Sequence, residues 1–215
     1  IYKSHNHFAH ALSNTIYKVK TSKGTFIIKL FEHEEKDTID FQIKIMETLG
    51  ENGLSPKLYT TKSKKAILHF KKPLMIQEYF EGKEVKSLNI KEAKNFGIFL
   101  AQLHNSIKKL HKNQTHWKIG YQFRRKESSF NAPTIHLDHE FKLLHTALKE
   151  IKEEKLKRGI IHGDLSGSNI LRNSKGEVML CDWDDARIDY LVYDLAVFIG
   201  NMFIKPQKLY TQTIK

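Results

Sequence analysis

Residues 160–196, IIHGDLSGSNILRNSKGEVMLCDWDDARIDYLVYDLA, set the tightest limits on how this chain folds. His162-Gly163-Asp164 opens a loop in which Asp164 and Asn169 stand five apart, and residues 178–181 form an apolar strand that ends just before Asp182. A carboxylate, an amide oxygen and a second carboxylate make an all-oxygen set of the kind magnesium takes alongside substrate phosphates. Phosphoryl transfer asks a protein mainly to position groups and neutralise charge, so one aspartate for an acceptor hydroxyl and two metal-facing residues suffice. Asp and Asn also punctuate turns around short hairpins. Three at these spacings, with a strand lysine far upstream, favour catalysis over turn chemistry.

That lysine is Lys29. Residues 11–31 alternate apolar and polar around a turn at residues 21–24, which predicts a hairpin. Its second strand, residues 25–31, sets Lys29 among Ile27, Ile28, Leu30 and Phe31. Taken alone, such a lysine reads as solvent-facing. Residues 38–49 follow as a helix, with Ile39, Ile43, Met46 and Leu49 at the helical period. Gln42 lies on that stripe, so if the helix packs on the lysine strand, an amide is the polar group aimed at Lys29; Asp40 and Glu47 sit further round. Residues 57–59, 66–70 and 74–80 are strand candidates, and residues 90–110 and 137–156 are amphipathic helices. Between those helices, residues 112–133 show little periodicity and read as a long loop. Strands first and helices after predict an α+β chain: a small antiparallel β-sheet N-lobe with one helix, residues 1–80, and a mainly helical C-lobe, residues 81–215.

Composition narrows the partners. The chain has 215 residues, 40% of them hydrophobic, enough for a real core. The longest largely apolar run, residues 195–204, is about half a membrane span, and no charged-then-apolar leader is visible, so a soluble protein without a membrane partner is expected. The chain opens on Ile1 rather than methionine, which leaves room for missing N-terminal sequence. Cys181 is the single cysteine, which suits a reducing cytoplasm and excludes an internal disulfide. The net charge of +12 admits anionic ligands, but the lysines are scattered without interleaved aromatics, which argues against nucleic acid.

HGDLSGSNIL, then LCDWDDA, then YDLA resemble the aminoglycoside phosphotransferase and choline kinase superfamily, relatives of the protein kinases. LSNTIYKV with TFIIKLF is similar to that family's phosphate-covering hairpin and nucleotide lysine; ENGLSPKLY, IQEYFEG and FLAQLH resemble the segment after its first helix, its hinge and a common helix motif. The resemblance implies a bilobal protein-kinase-like fold and transfer of the γ-phosphate of ATP or GTP, with Mg2+, to a hydroxyl of a small, cationic acceptor such as choline, ethanolamine, thiamine or an aminoglycoside. It implies that Asp164 is catalytic, that Asn169 and Asp182 hold magnesium, and that Lys29 meets the phosphates. Glu78, Tyr79 and Phe80 would read the base through their backbone, and Ser13 and Asn14 would lie over the phosphates. His162 and Asp194 would shape the catalytic loop, and Asp184, with Asp185 and Trp183, would face the acceptor. Trp117, Trp183, Tyr190, Tyr193 and Phe203 are candidates for an aromatic box around a quaternary ammonium, or for core.

The chain departs from the family pattern in three places. Gln42 stands where a glutamate usually pairs with the lysine, so either the amide suffices or Glu47, less well Asp40, substitutes. Ser166, Gly167 and Ser168 replace the His-Pro-Gly of many aminoglycoside enzymes. The chain stops 21 residues after Asp194, where the family adds helices, so it is either a fragment or has a minimal pocket. A small atypical protein kinase shares the HGDL loop and a short helical lobe but follows with Asp-Phe-Gly rather than Asp-Trp-Asp, and a nonenzymatic nucleotide-binding protein is the reading from a third class.

Overall fold

A computed structural model describes residues 2–7, 14–63, 65–69, 71–111, 146, 150 and 155–203. The alternating segment forms the expected hairpin: β2 (Thr15–Thr21) and β3 (Gly24–Leu30) pair antiparallel with Thr21 opposite Gly24, whose φ of 134° only glycine takes easily. β1 (Tyr2–His7) adds outside β2; its sequence, YKSHNH, has no apolar alternation, which is why it could not be read from pattern. β4 (Leu58–Tyr59), β5 (Ile67–His69) and β6 (Pro73–Glu78) complete an antiparallel sheet in the order β1-β2-β3-β6-β4, with β5 also on β6. Its register sets Lys29 opposite Ile16 on one side and Met75 on the other.

Helix α1 (Lys36–Glu51) buries Ile39, Phe41, Ile43, Ile45, Met46 and Leu49, two more large side chains than the simple stripe implied. It stops where Gly53 turns to a φ of 68° and Leu54 N–H returns to the Leu49 carbonyl at 2.9 Å. Helix α2 (Ile90–His111) starts at a reciprocal cap: Glu92 N–H donates to Asn89 Oδ1, and Asn89 N–H donates to Glu92 Oε2, both at 2.9 Å. Its stripe Phe96, Leu100, Leu103 and Ile107 is buried, and Phe96 stacks on Phe198 of α3 (Val192–Phe203) with ring centroids 4.2 Å apart.

Residues 158–190 are built largely from short strands. β8 (Arg158–Ile161) pairs with β11 (Arg187–Tyr190), and β9 (Ile170–Arg172) pairs with β10 (Val178–Leu180) and β7 (Lys83–Glu84). Every strand pairing among the described residues is antiparallel. The long loop and the helix expected at residues 112–133 and 137–156 fall almost wholly outside the described residues. No helix among the described residues is long and apolar enough to cross a membrane.

Candidate active site

The spacing between Asn169 and Asp182 has a structural cause. In the β9–β10 hairpin, Ile170 faces Leu180, so the residues just past the ladder lie together, and Cys181 N–H donates to the Asn169 carbonyl at 3.0 Å. The far end closes on Asn173, whose Oδ1 accepts the N–H groups of Lys175 and Glu177 at 3.0 Å each. Asn169 is buried and donates through Nδ2 to the Asp164 carbonyl at 3.0 Å and to Asp164 Oδ2 at 2.8 Å. One amide thus joins two of the three candidates, and its Oδ1 is the atom left to face a cation. Asp182 follows with a φ of 63°, a rare conformation for a side chain other than glycine.

The loop around Asp164 hangs on Asp194. This fully buried carboxylate, in the first turn of α3, accepts the N–H of His162 on Oδ2 and that of Gly163 on Oδ1, each at 2.9 Å, and His104 Nε2 lies 2.9 Å from Oδ2. His162 is buried too. Its Nδ1 accepts the Asp164 N–H at 3.3 Å and its Nε2 donates to the Cys181 carbonyl at 3.0 Å, a neutral tautomer that ties the Asp164 loop to the strand leading into Asp182. Burial lowers its pKa, ahead of the opposing pull of the Asp194 charge. Gly163 takes a φ of 87°, and a Cβ there would stand 2.3 Å from the Asp185 carbonyl oxygen. His162 and Asp194 shape this loop, as read from the sequence.

Lys29 is not solvent-facing. It is 3% exposed, and its ammonium contacts Asp184 Oδ1 and lies 3.4 Å from Asp182 Oδ1. The Gln42 amide does not meet it. Gln42 Nε2 donates to Glu34 Oε2 at 2.7 Å, and its buried Oε1 has no hydrogen-bond partner among the described residues. Asp40 and Glu47 are exposed on α1, so neither substitutes as the lysine's partner. Asn14 is buried: Nδ2 donates to Glu34 Oε1 and to Asp184 Oδ2, both at 2.7 Å, and Oδ1 accepts the Glu32 N–H at 3.1 Å. Glu34 sits in the irregular stretch EHEE between β3 and α1, where no periodicity marks a residue for the site, and sequence reasoning missed it.

The two aspartates are driven apart. Partial burial pushes the Asp182 carboxyl up to about 6, with the Lys29 ammonium pulling the other way and the Asp184 charge adding to the rise. Burial also acts on Asp184, but the Lys29 ammonium and the Asn14 amide outweigh it and hold that carboxyl below its ordinary value. Asn169 Oδ1 and Asp182, 44% of whose side chain is exposed, suit a hard divalent cation. Among the described residues no three His, Cys, Asp or Glu side chains gather as a metal site, so such a cation would need the amide oxygen and a ligand's own phosphates.

The remaining candidates separate. Trp183 is 1% exposed and packs on His162 with centroids 4.5 Å apart, its indole N–H without a partner among the described residues; its ring belongs to the core rather than to an acceptor surface. Tyr193 lies under the Arg187 guanidinium at 4.5 Å and Tyr190 near Arg158 at 5.5 Å, so each already has a cationic neighbour from the chain. Asp185 is exposed. Glu78 ends β6 and gives its N–H to the Lys57 carbonyl at 2.8 Å; the Tyr79 ring lies beneath the Lys18 ammonium at 3.6 Å; the Phe80 carbonyl accepts the Gly82 N–H at 3.0 Å. Ser13, Trp117 and the Phe203 side chain lie outside the described residues.

Residues 6–212 match the model of the phosphotransferase enzyme family. The chain belongs to that family. It is 26% identical over 212 residues to a homoserine kinase of Beijerinckia indica, covering 92% of this chain and 64% of that protein, and 24% identical over 201 residues to one of Allorhizobium ampelinum, covering 89% and 62%. The chain therefore spans less than two thirds of the length of these relatives. Among solved structures it resembles spectinomycin phosphotransferase in complex with ADP and spectinomycin (TM-score 0.59, 14% identity, 95% of this chain and 71% of that one). It also resembles choline kinase LicA from Streptococcus pneumoniae (TM-score 0.56, 18% identity, 93% and 69%). The fold is the α+β, protein-kinase-like fold of the phosphotransferase family.

Proposed function

We propose that this chain transfers the γ-phosphate of ATP, or of GTP, to a hydroxyl of a small acceptor that carries an amine. The observation that carries the reading is Asn169, its amide bonded to Asp164 and its carbonyl paired across the end of the hairpin with Cys181, the residue before Asp182. Asp164 orients the acceptor hydroxyl and accepts its proton, its carboxylate held by the Asn169 amide so that one oxygen stays aimed. Asn169 and Asp182 would hold magnesium, which would supply charge neutralisation at the phosphates. Lys29, rigid on β3, presents its ammonium to the phosphates, and the backbone of Glu78, Tyr79 and Phe80 flanks the base. Membership of the phosphotransferase family and the likeness to homoserine and choline kinases support an amino alcohol acceptor. The division between a nucleotide lobe and a catalytic lobe at residues 80 and 81 is supported by the sheet topology, since every strand of the largest sheet precedes it.

Radiolabelled phosphate transfer to a panel of homoserine, choline, ethanolamine, thiamine and aminoglycosides, with a protein substrate alongside, tests this. Asp164→Ala is expected to abolish turnover while nucleotide affinity stays within about threefold, and Asp182→Ala to weaken magnesium-dependent nucleotide binding at least about tenfold. Full turnover by Asp164→Ala refutes the mechanism.

A further inference from the structure

The lysine site departs from the arrangement that the sequence led us to expect, in which a residue of α1 meets Lys29 directly. A buried ammonium needs a carboxylate, because an uncompensated charge in the interior is strongly unfavourable. α1 brings none: its buried polar residue is Gln42, bonded to Glu34, and its acidic neighbours Asp40 and Glu47 are exposed. Asp182 lies at a long 3.4 Å and is the more exposed of the two aspartates, 44% against 18% by side chain. If a cation takes Asp182, one carboxylate in contact with Lys29 remains, and it is Asp184.

Asp184 is also held in one orientation. Oδ1 faces Lys29 and Oδ2 accepts from Asn14. Asn14 in turn uses both Nδ2 hydrogens and its oxygen, and Glu34 uses both oxygens, one for Asn14 and one for Gln42. The side chains therefore run in an unbroken line, Lys29, Asp184, Asn14, Glu34, Gln42, from β3 through the stretch after Asp182 and the turn before β2 to α1. With both oxygens turned inward, Asp184 is not disposed to recognise a cationic acceptor.

We propose that Asp184 is the positioning residue for Lys29, and that the Asn14–Glu34 pair, rather than a direct contact from α1, holds that anchor in place. The inference rests on the reading of Lys29 as the phosphate-facing cation. The lysine is then armed by the same short segment that carries Asp182, so nucleotide and cation positioning are set together, with α1 connected only through the relay.

The test reads Lys29 chemically in the full chain, without nucleotide and with a chelator present. The rate of its modification by an amine-selective reagent at fixed pH is followed by peptide mass spectrometry. An ammonium fastened to a fixed carboxylate by a charge-assisted hydrogen bond is held away from the reagent, so Asp184→Asn is expected to speed labelling of Lys29 by about tenfold or more, Asp184→Glu to stay within about threefold of the parent, and Glu47→Gln to change nothing. In steady-state assays Asp184→Asn raises KM for the nucleotide about tenfold and leaves KM for the acceptor alone. Parental labelling in Asp184→Asn, or a rise confined to the acceptor KM, overturns the proposal. Should Asp184→Asn not fold, Asn14→Ala releases the orienting bond and is expected to speed labelling about threefold; no change there also overturns it. If the parent chain transfers no phosphate to any acceptor, the proposed function falls, while the labelling still decides whether Asp184 anchors Lys29.

Discussion

Replacing Asp194 by Asn tests how the loop that carries Asp164 is held. The carboxylate is fully buried and has three partners at 2.9 Å: the His162 N–H and His104 Nε2 on Oδ2, and the Gly163 N–H on Oδ1. In the best orientation the Asn oxygen takes the Oδ2 position and keeps two contacts, but its NH2 then points at the Gly163 N–H, donor against donor. The variant loses one charge-assisted bond, about 1.5–3 kcal/mol, and strands a largely buried N–H, so a net cost of about 3 kcal/mol is expected. For a chain of this length that is a fall in Tm of roughly 6–12 °C. Asp194→Ala removes all three acceptor contacts and should cost more, about 4–6 kcal/mol. Urea unfolding followed by tryptophan fluorescence measures this, since Trp183 packs on His162 inside the loop's support. Both variants unfolding within about 0.5 kcal/mol of the parent would refute the idea that this carboxylate organises residues 162–164.

Two further outcomes follow from the same loop. His162 has a lowered pKa in the folded chain because it is buried, so the unfolded chain binds more protons as pH falls below the ordinary histidine value near 6.5. Its contribution to stability is complete above about pH 6.5 and is lost on acidification at up to about 1.4 kcal/mol per pH unit; His162→Gln should flatten that part of the stability–pH curve, and identical slopes would contradict the assignment. Gly163→Ala puts a Cβ 2.3 Å from the Asp185 carbonyl at a φ of 87° and should destabilise by roughly 2–4 kcal/mol, with urea titration as the check; a cost under about 0.5 kcal/mol would show that the loop can shift freely.

What the sequence reveals here is whatever local pattern encodes. The β2–β3 hairpin, α1 and α2 follow from alternation and helical period, and the hydrophobic stripes of the two helices are their buried faces. Asp164, Asn169 and Asp182 could be singled out because the donors are few and their spacing is that of a hairpin end. β1, β7 and the β8–β11 pair were not legible, since strands of two to six residues with mixed polarity borrow their definition from the partner strand. Lys29 read alone as a surface residue because burial of a charge depends on a partner 155 residues away. The same non-locality misled the reading of Gln42: the helical wheel put it on the right face, but the carboxylate that it meets is Glu34, eight residues back in an irregular connection. Arg187, which bonds the Asp185 carbonyl and the Asp189 carboxylate at 3.1 Å, gave no signal either.

The β9–β10 hairpin holds only three residue pairs, so its two ends are about 10 Å apart. Asn169 and Asp182 occupy one end, and the exposed Ser174 and Lys175 occupy the other. Length added at that outer turn therefore lies beyond the ladder that sets the donors' separation, whereas a single residue added within either strand turns one donor away from the other. For protein engineers the outer turn is the place to graft a reporter peptide or an affinity handle, because the paired strands insulate the chemistry from what is attached there.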